Sequence, residues 1–382
     1  MKMILLLSSF LISFVALGQT LVTPTRVLNE VIPFTDDLEL QNLETAIDRQ
    51  LAAFRRSAPK GEIKFGERTY PARILVDSML LFQSIVKEAI SCRAQSPAEA
   101  CMARLSERMN TEFIKYVPVP APTDPNRTPV NTTLFTAYYS PDVIASRTQT
   151  ERFKNPIYAL PKTEDLRRKT REEIDFEGAL AGKGLELFYV EDSLYDIWIL
   201  HVEGGGRALL QKDDGTVEKI YLSYAGANGQ RFEFLSKYMI AQGMLPANRA
   251  TIDNQRRYIE ENPERAREIF ASSPSYVYFK ETTTEPLGVR NIPLTEGRSL
   301  AIDTRIYKEV GMINFVMTEK PYRAEDGRVL FEGFSRFFIS QDTGGAIRGN
   351  ARCDLYMGYG EEAALAAQSI NRVGRQIFLI KK

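Results

Sequence analysis

Between Val329 and Met357 the chain reads as an apolar strand, a glycine-bearing turn and a second short apolar strand. The first strand is Val329–Ile339 (VLFEGFSRFFI) and the second is Asp354–Met357. The turn between them carries Gly344, Gly345 and Gly349, residues that permit positive φ or close approach of another backbone. This pattern predicts two strands joined by a tight loop, with Asp342 and Asp354 held side by side at the strand ends. Paired carboxylates of this kind are a usual way to build a proton donor. An Asp-Thr-Gly-Gly run also makes a plain turn, since Asp caps its own backbone, so the rest of the chain decides between the two readings.

Residues 1–18 read as a secretory signal peptide: Lys2, the apolar stretch Ile4–Leu17, then small residues to Gly18. Gln19 stands where a lipoprotein would carry its lipidation Cys, so the expected product is exported and unlipidated. Basic and acidic residues balance at 49 each, which gives no bulk attraction to nucleic acid. Cys92 and Cys101 flank Pro97 and are expected to pair in an oxidising compartment, leaving Cys353 as a buried thiol. One His and no clustered Cys argue against a zinc site.

Helical spacing of apolar residues predicts helices over 37–54 (capped by Thr35 or Asp36), 71–90 and 98–109. The proline-rich 117–129 run is a connection. Short strands are expected at 133–141, 155–161, 185–190, 197–202, 273–279 and 376–380, and Asp303 is placed on another within 294–306. Helices are expected at 170–180 and 232–242, and over 251–272 with Pro263 at a helix start. Tyr138 and Tyr139 point to opposite faces of their strand, so at least one can reach a cleft. Gly204, Gly205 and Gly206 with Arg207 read either as a cleft wall with Arg207 reaching a ligand or as a hairpin turn. Many short strands with turn signals favour barrels over a doubly wound sheet.

Three aspartates, Asp303, Asp342 and Asp354, stand out in the last quarter. With FTAYYSP (135–141), NPIYALP (155–161), EGALAGKGLEL (177–187), EGGGR (203–207), YAGANG (224–229), PSYVYF (274–279), LTEGRSLAIDTRIY (294–307) and DTGGAIRG…CD (342–354), the chain resembles the membrane-bound lytic transglycosylase A (MltA) family from about Thr133 onward. The C-terminal part resembles the family's 3D domain, named for three aspartates. The resemblance implies a mainly β fold with N-terminal helices: a double-psi β-barrel domain with an inserted smaller β-barrel domain. It places 19–140 and 286–382 in the catalytic barrel and 141–285 in the inserted glycan-binding domain.

The same resemblance implies an enzyme that cleaves the β-1,4 bond between N-acetylmuramic acid and N-acetylglucosamine in peptidoglycan and forms 1,6-anhydro-N-acetylmuramic acid. Asp354 matches the catalytic aspartate, Asp342 a supporting one on the neighbouring strand and Asp303 the third. Thr136, Tyr138, Tyr139, Glu203, Gly205, Gly206, Arg207 and Tyr224 would line the substrate groove. No metal or organic cofactor is implied. The partners implied are peptidoglycan glycan strands and cell-wall synthesis proteins, with no nucleic acid, and the protein would act as a monomer. It would be periplasmic or secreted, in association with the outer membrane. The sequence departs from the family's Gln-x-Gln-Gly-Ser-Gly-Arg pattern at His201, Glu203 and Gly205, which sets a possible second carboxylate near the groove. The rival readings are a peptidoglycan hydrolase that uses that second carboxylate and a non-catalytic peptidoglycan-binding protein. An aspartic protease would need a second Asp-Thr-Gly loop, and Asp303-Thr304 is followed by Arg305.

Overall fold

The structure, a computed structural model, describes residues 24–121, 126, 128–191, 193–212 and 215–382. The signal peptide reading lies outside the described residues. Helices and strands take nearly equal shares of the described residues, with helices at the N-terminal end and through the middle third beside the strands.

Six strands close into a barrel in the order Asn371–Lys381, Ile313–Arg323, Val329–Asp342, Ser299–Ile302, Arg352–Tyr356, Thr133–Tyr138 and back to Asn371–Lys381. Two pairings are parallel, Ser299–Ile302 with Val329–Asp342 and Arg352–Tyr356 with Thr133–Tyr138. Phe113–Pro118 and Thr25–Leu28 extend the sheet on one side. A second, six-stranded sheet is built between residues 142 and 282, and a single bridge from Ala159 to Phe279 brings its two edge strands together.

Helices Leu43–Arg56, Ile74–Cys92 and Ala98–Glu112 share one core with the barrel. Phe82 of the second helix packs on Phe337 at 5.2 Å, and Phe337 in turn meets Phe315 at 5.0 Å. The Cys92–Cys101 disulfide ties the second helix to the third, and Cys353 is buried as a free thiol.

Three local readings are corrected. The first helix begins at Leu43, because Glu39, Leu40 and Asn42 adopt positive φ and turn the chain before it can wind. Asp36 does not cap that helix; its carboxylate accepts from the backbone N–H groups of Leu38 and Leu40 and meets Arg298.

Residues 197–202 are helical, within Leu194–Glu203, where strand was expected. Their β-branched and aromatic side chains mimic a strand because the helix is buried on two sides. Tyr195, Trp198 and Ile199 enter a cluster with Leu235 and Phe270, while Ile197 and Leu200 enter another with Phe188 and Phe279. Gly204 ends the helix in a left-handed conformation (φ 72°), its N–H donating to the Leu200 carbonyl.

The third correction concerns the aspartate strands. They are not paired with each other: Ser299–Ile302 lies between them.

Arg298 and Asp36 form an ion pair whose side chains have no exposed surface. Both guanidinium ends reach the carboxylate, at 2.6 and 2.8 Å. The remaining Arg298 donors go to the Gln41 and Phe337 carbonyls, and the Phe337 N–H returns a bond to Asp36. Removing one member strands a buried charge, which costs about 3–5 kcal/mol. Asp36→Ala is therefore expected to lower unfolding free energy by about that amount in guanidinium titrations. An unchanged midpoint would show that the pair does not hold the fold.

Candidate active site

The barrel register sets Asp342 opposite Ala301, Ala301 opposite Asp354, Asp354 opposite Thr136 and Thr136 opposite Asn371. Residues in such a row project from the same face of the sheet. The two aspartates are two strand spacings apart, ~9.6 Å at the Cα atoms. The residue between them contributes only a methyl group, so no bulky side chain separates the two carboxyls. Along its own strand Asp354 is flanked by Cys353 and Leu355, which point into the core. Alternation thus sends the Asp354 carboxyl to the opposite side from these two apolar neighbours.

Thr136 Oγ1 donates to Asp354 Oδ1 at 2.5 Å. Burial raises the Asp354 carboxyl above its ordinary value and the Asp342 charge adds to this, while Thr136 and Arg352 oppose it. Asp342 accepts from the Tyr138 hydroxyl at 2.7 Å and from the Thr343 N–H at 2.8 Å. Burial outweighs both bonds and raises Asp342 as well.

Asp303 belongs to a different environment. It caps the short helix Thr304–Tyr307, just past the end of its strand. Its carboxylate takes both ends of the Arg305 guanidinium, at 2.7 and 2.5 Å, and the Gly349 N–H at 3.0 Å. Burial alone would raise it, but Arg305 and the backbone donors prevail and hold it below the ordinary carboxylate range. It therefore anchors the 343–349 loop as an anion. Gly349 takes positive φ (98°), whereas Gly344 and Gly345 do not.

On the facing sheet, Glu203 is the last residue of the Leu194–Glu203 helix. Burial raises its carboxyl to about 8, the Asp354 charge adds to this, and a bond from the Tyr139 backbone opposes it. Gly205 and Gly206 open the next strand. A Cβ at Gly206 would meet the Pro141 carbonyl and Leu200, so this glycine serves close packing of the helix end against the connecting segment.

Arg207 is already engaged: it grips both oxygens of Asp142, at 2.6 and 2.7 Å, and lies 3.7 Å over the Tyr359 ring. Tyr139 packs on the cluster that holds Trp198 and Phe270. Tyr224 is exposed on the 217–227 strand.

Sequence reasoning missed Asp142, Tyr221, Tyr356 and Tyr359. Tyr138, Tyr356 and Tyr359 form a run of rings at 5.2 and 6.3 Å, and Tyr359 reaches Tyr221 of the facing sheet at 6.4 Å. The signal was present in LYMGYG (355–360), where aromatics sit two and five residues beyond Asp354. A cavity of ≈ 850 Å³ borders this run, lined by Glu296, Met357 and Tyr359 on the barrel and by Asp253 and Arg256 from the facing part. Among the described residues no group of three His, Cys, Asp or Glu is arranged to hold a metal ion.

Because Thr136 favours the charged form of Asp354, its removal is expected to raise that carboxyl further. Thr136→Val should move the Asp354 titration to higher pH in carboxyl-carbon NMR. A shift the other way would mean that the Thr136 bond stabilises the protonated form.

The MltA specific insert domain matches residues 134–280, and the 3D domain matches residues 298–379. The membrane-bound lytic murein transglycosylase A of Vibrio cholerae is 37% identical over 245 residues, and that of Escherichia coli is 31% identical over 243. Each match covers 63% of this chain and 64% of the relative's length. The crystal structure of E. coli MltA with bound chitohexaose superposes with a TM-score of 0.67 at 25% identity, covering 94% of this chain and 95% of that one. With the insert and the 3D domain both matched and the fold shared nearly end to end, the chain belongs to the MltA family.

Proposed function

We propose that this protein is a lytic transglycosylase that cuts the β-1,4 bond between N-acetylmuramic acid and N-acetylglucosamine in peptidoglycan. The observation that carries the reading is Asp354: a carboxyl raised by burial, with one fixed hydrogen-bond donor, at the centre of a row that also carries Asp342, Thr136 and Asn371. A raised carboxyl can start the reaction protonated. Asp354 gives its proton to the glycosidic oxygen as the C1–O4 bond breaks. The 6-hydroxyl of the same muramic acid then bonds to C1 and returns its proton to the Asp354 carboxylate. The 1,6-anhydro ring closes, no water is consumed, and Asp354 ends as it began. Because the attacking hydroxyl belongs to the bound sugar, its effective concentration replaces a second activating carboxylate.

Asp342 supports Asp354 by its charge, and Asp303 supports it through the loop it anchors. Thr136, Tyr138, Tyr139, Glu203, Gly205, Gly206, Arg207 and Tyr224 form the groove wall, with Tyr139 and Gly206 acting through packing. The catalytic unit is taken as 19–140 with 286–382, around the insert 141–285. Export to the periplasm follows from the substrate and from the reading of residues 1–18. A hydrolase that used Glu203 would need it ionised, and the upward shift of Glu203 to about 8 weighs against that at moderate pH.

Digestion of purified peptidoglycan, read by mass spectrometry, is expected to yield anhydro-muropeptides. Asp354→Asn should cut the rate at least ~100-fold. Products one water heavier would assign hydrolysis, and binding without release would assign a glycan-binding protein. Activity should fall as pH rises through the Asp354 titration. Asp342→Asn removes a charge that raises Asp354, so that fall should move to lower pH.

A further inference from the structure

Lys115 is a cation that the fold buries without giving it an acid. It lies in Phe113–Pro118, paired with Leu28 on one side and Leu379 on the other, and is 7% exposed. Its ammonium donates to Asn110 Oδ1 at 2.7 Å, an oxygen that also accepts from the Ile32 N–H at 3.0 Å. An ammonium has three N–H donors, so two are left without a partner among the described residues. No carboxylate of the described residues stands within 4.0 Å of it. Glu30 is near, but both its oxygens are taken by Arg375, at 3.2 and 2.7 Å. Burial pushes the Lys115 ammonium below its ordinary value and the Lys382 charge adds to this, with Glu30 opposing. A buried cation left in this state is stabilised by any anion that reaches it.

Lys115 and Asn110 line a cavity of ≈ 600 Å³, to which Arg68 and Lys382 bring two more cations. Neither of these has a carboxylate of the described residues within 4.0 Å. Apart from Asn29, the remaining wall is apolar: Val27, Leu28, Val31, Phe113 and Ile114. Val27 and Val31 are exposed, Val31 at 76%, as are Arg68 and Lys382. The cavity thus has charge at its floor and a rim that mixes apolar and cationic side chains. We propose that it takes the anionic headgroup of a membrane lipid, held by Lys115, with Val27 and Val31 dipping into the bilayer surface and Arg68 and Lys382 lying against its negative charge. The polarity sets the ligand's direction: headgroup inward, hydrocarbon chain out through the rim. A free amphiphile bound in this direction would leave its chain in water, whereas a bilayer lipid keeps its chain in hydrocarbon. The site is remote from the groove. Asn371 is level with the carboxyl row, and Lys381, at the other end of the same strand, pairs with Phe113 of the cavity wall, ~33 Å along the strand. The inference does not depend on the transglycosylase reading.

The test is flotation with vesicles of phosphatidylcholine alone and of phosphatidylcholine with phosphatidylglycerol. The chain is used without residues 1–18, so that the apolar stretch 4–17 contributes nothing. The wild type should float with the anionic vesicles and stay behind with the neutral ones. Lys115→Met leaves no acid stranded, and Asn110 keeps its bond to Ile32, so the variant should fold; its binding to anionic vesicles should fall at least ~10-fold. Arg68→Gln should weaken binding about fivefold, as one surface cation does. Val31→Asp, at an exposed side chain, should abolish it. A folded Lys115→Met protein that floats as the wild type does overturns the proposal, because surface charge alone then explains the binding. If that variant does not fold, Val31→Asp decides, and unchanged flotation overturns the proposal. So does a wild type that floats with neither vesicle or equally with both. Octyl phosphate bound in solution by the wild type and not by Lys115→Met, with no flotation, would assign the cavity to a free amphiphile and overturn the membrane lipid.

Discussion

A guanidinium with no exposed surface has to find its partners inside the protein, and Arg298 finds them on two separate pieces of chain. Its partners are Asp36 and Gln41 in the entry segment and Phe337 on the strand that leads to Asp342. Arg298 itself immediately precedes the Ser299–Ile302 strand. The ion pair therefore fixes the offset between the strand carrying Ala301 and the strand carrying Asp342. A one-residue slip in that pairing would turn the carboxyl of Asp342 to the other face of the sheet. The carboxyl row depends on a charge pair remote from the groove, which gives the N-terminal segment a part in shaping the site.

Four carboxyls show how environment divides one chemistry into separate roles. Asp303 keeps an arginine and two backbone donors and stays an anion. Asp342 and Asp354 have hydrogen bonds but no tight cation, and burial prevails. Glu203 has a single backbone donor, and burial raises it to about 8. The division between Asp303 and the three raised carboxyls follows the number and charge of the donors, as expected when desolvation and hydrogen bonding oppose each other.

Much of this was legible in the residues. The glycine-bearing aspartate stretch, the N-terminal helices and the Cys92–Cys101 bond could be read locally, because short-range spacing encodes them. The strand between the two aspartates could not: Ser299–Ile302 is fully buried and distant in sequence, and only tertiary pairing inserts it there. The Leu194–Glu203 helix was misread because burial on two sides removes the periodicity by which a helix is recognised. Arg207 looked free for a ligand, since its partners Asp142 and Tyr359 come from a neighbouring strand and from the barrel. The three aspartates could be found by type, but only their donors separate the anchor Asp303 from the other two.

The strand carrying Thr136 leaves the barrel into the insert, and the strand carrying Asp354 arrives 218 residues later. The same early strand also pairs with Asn371–Lys381 at the end of the chain. Contacts this distant in sequence form late and slowly, because the whole intervening loop must be closed first. The barrel cannot shut before the final strand is made, so neither the Thr136–Asp354 bond nor the carboxyl row exists in an unfinished chain. On the transglycosylase reading, the order of synthesis is itself a safeguard: the chain has no cutting edge until Asn371–Lys381 is in place.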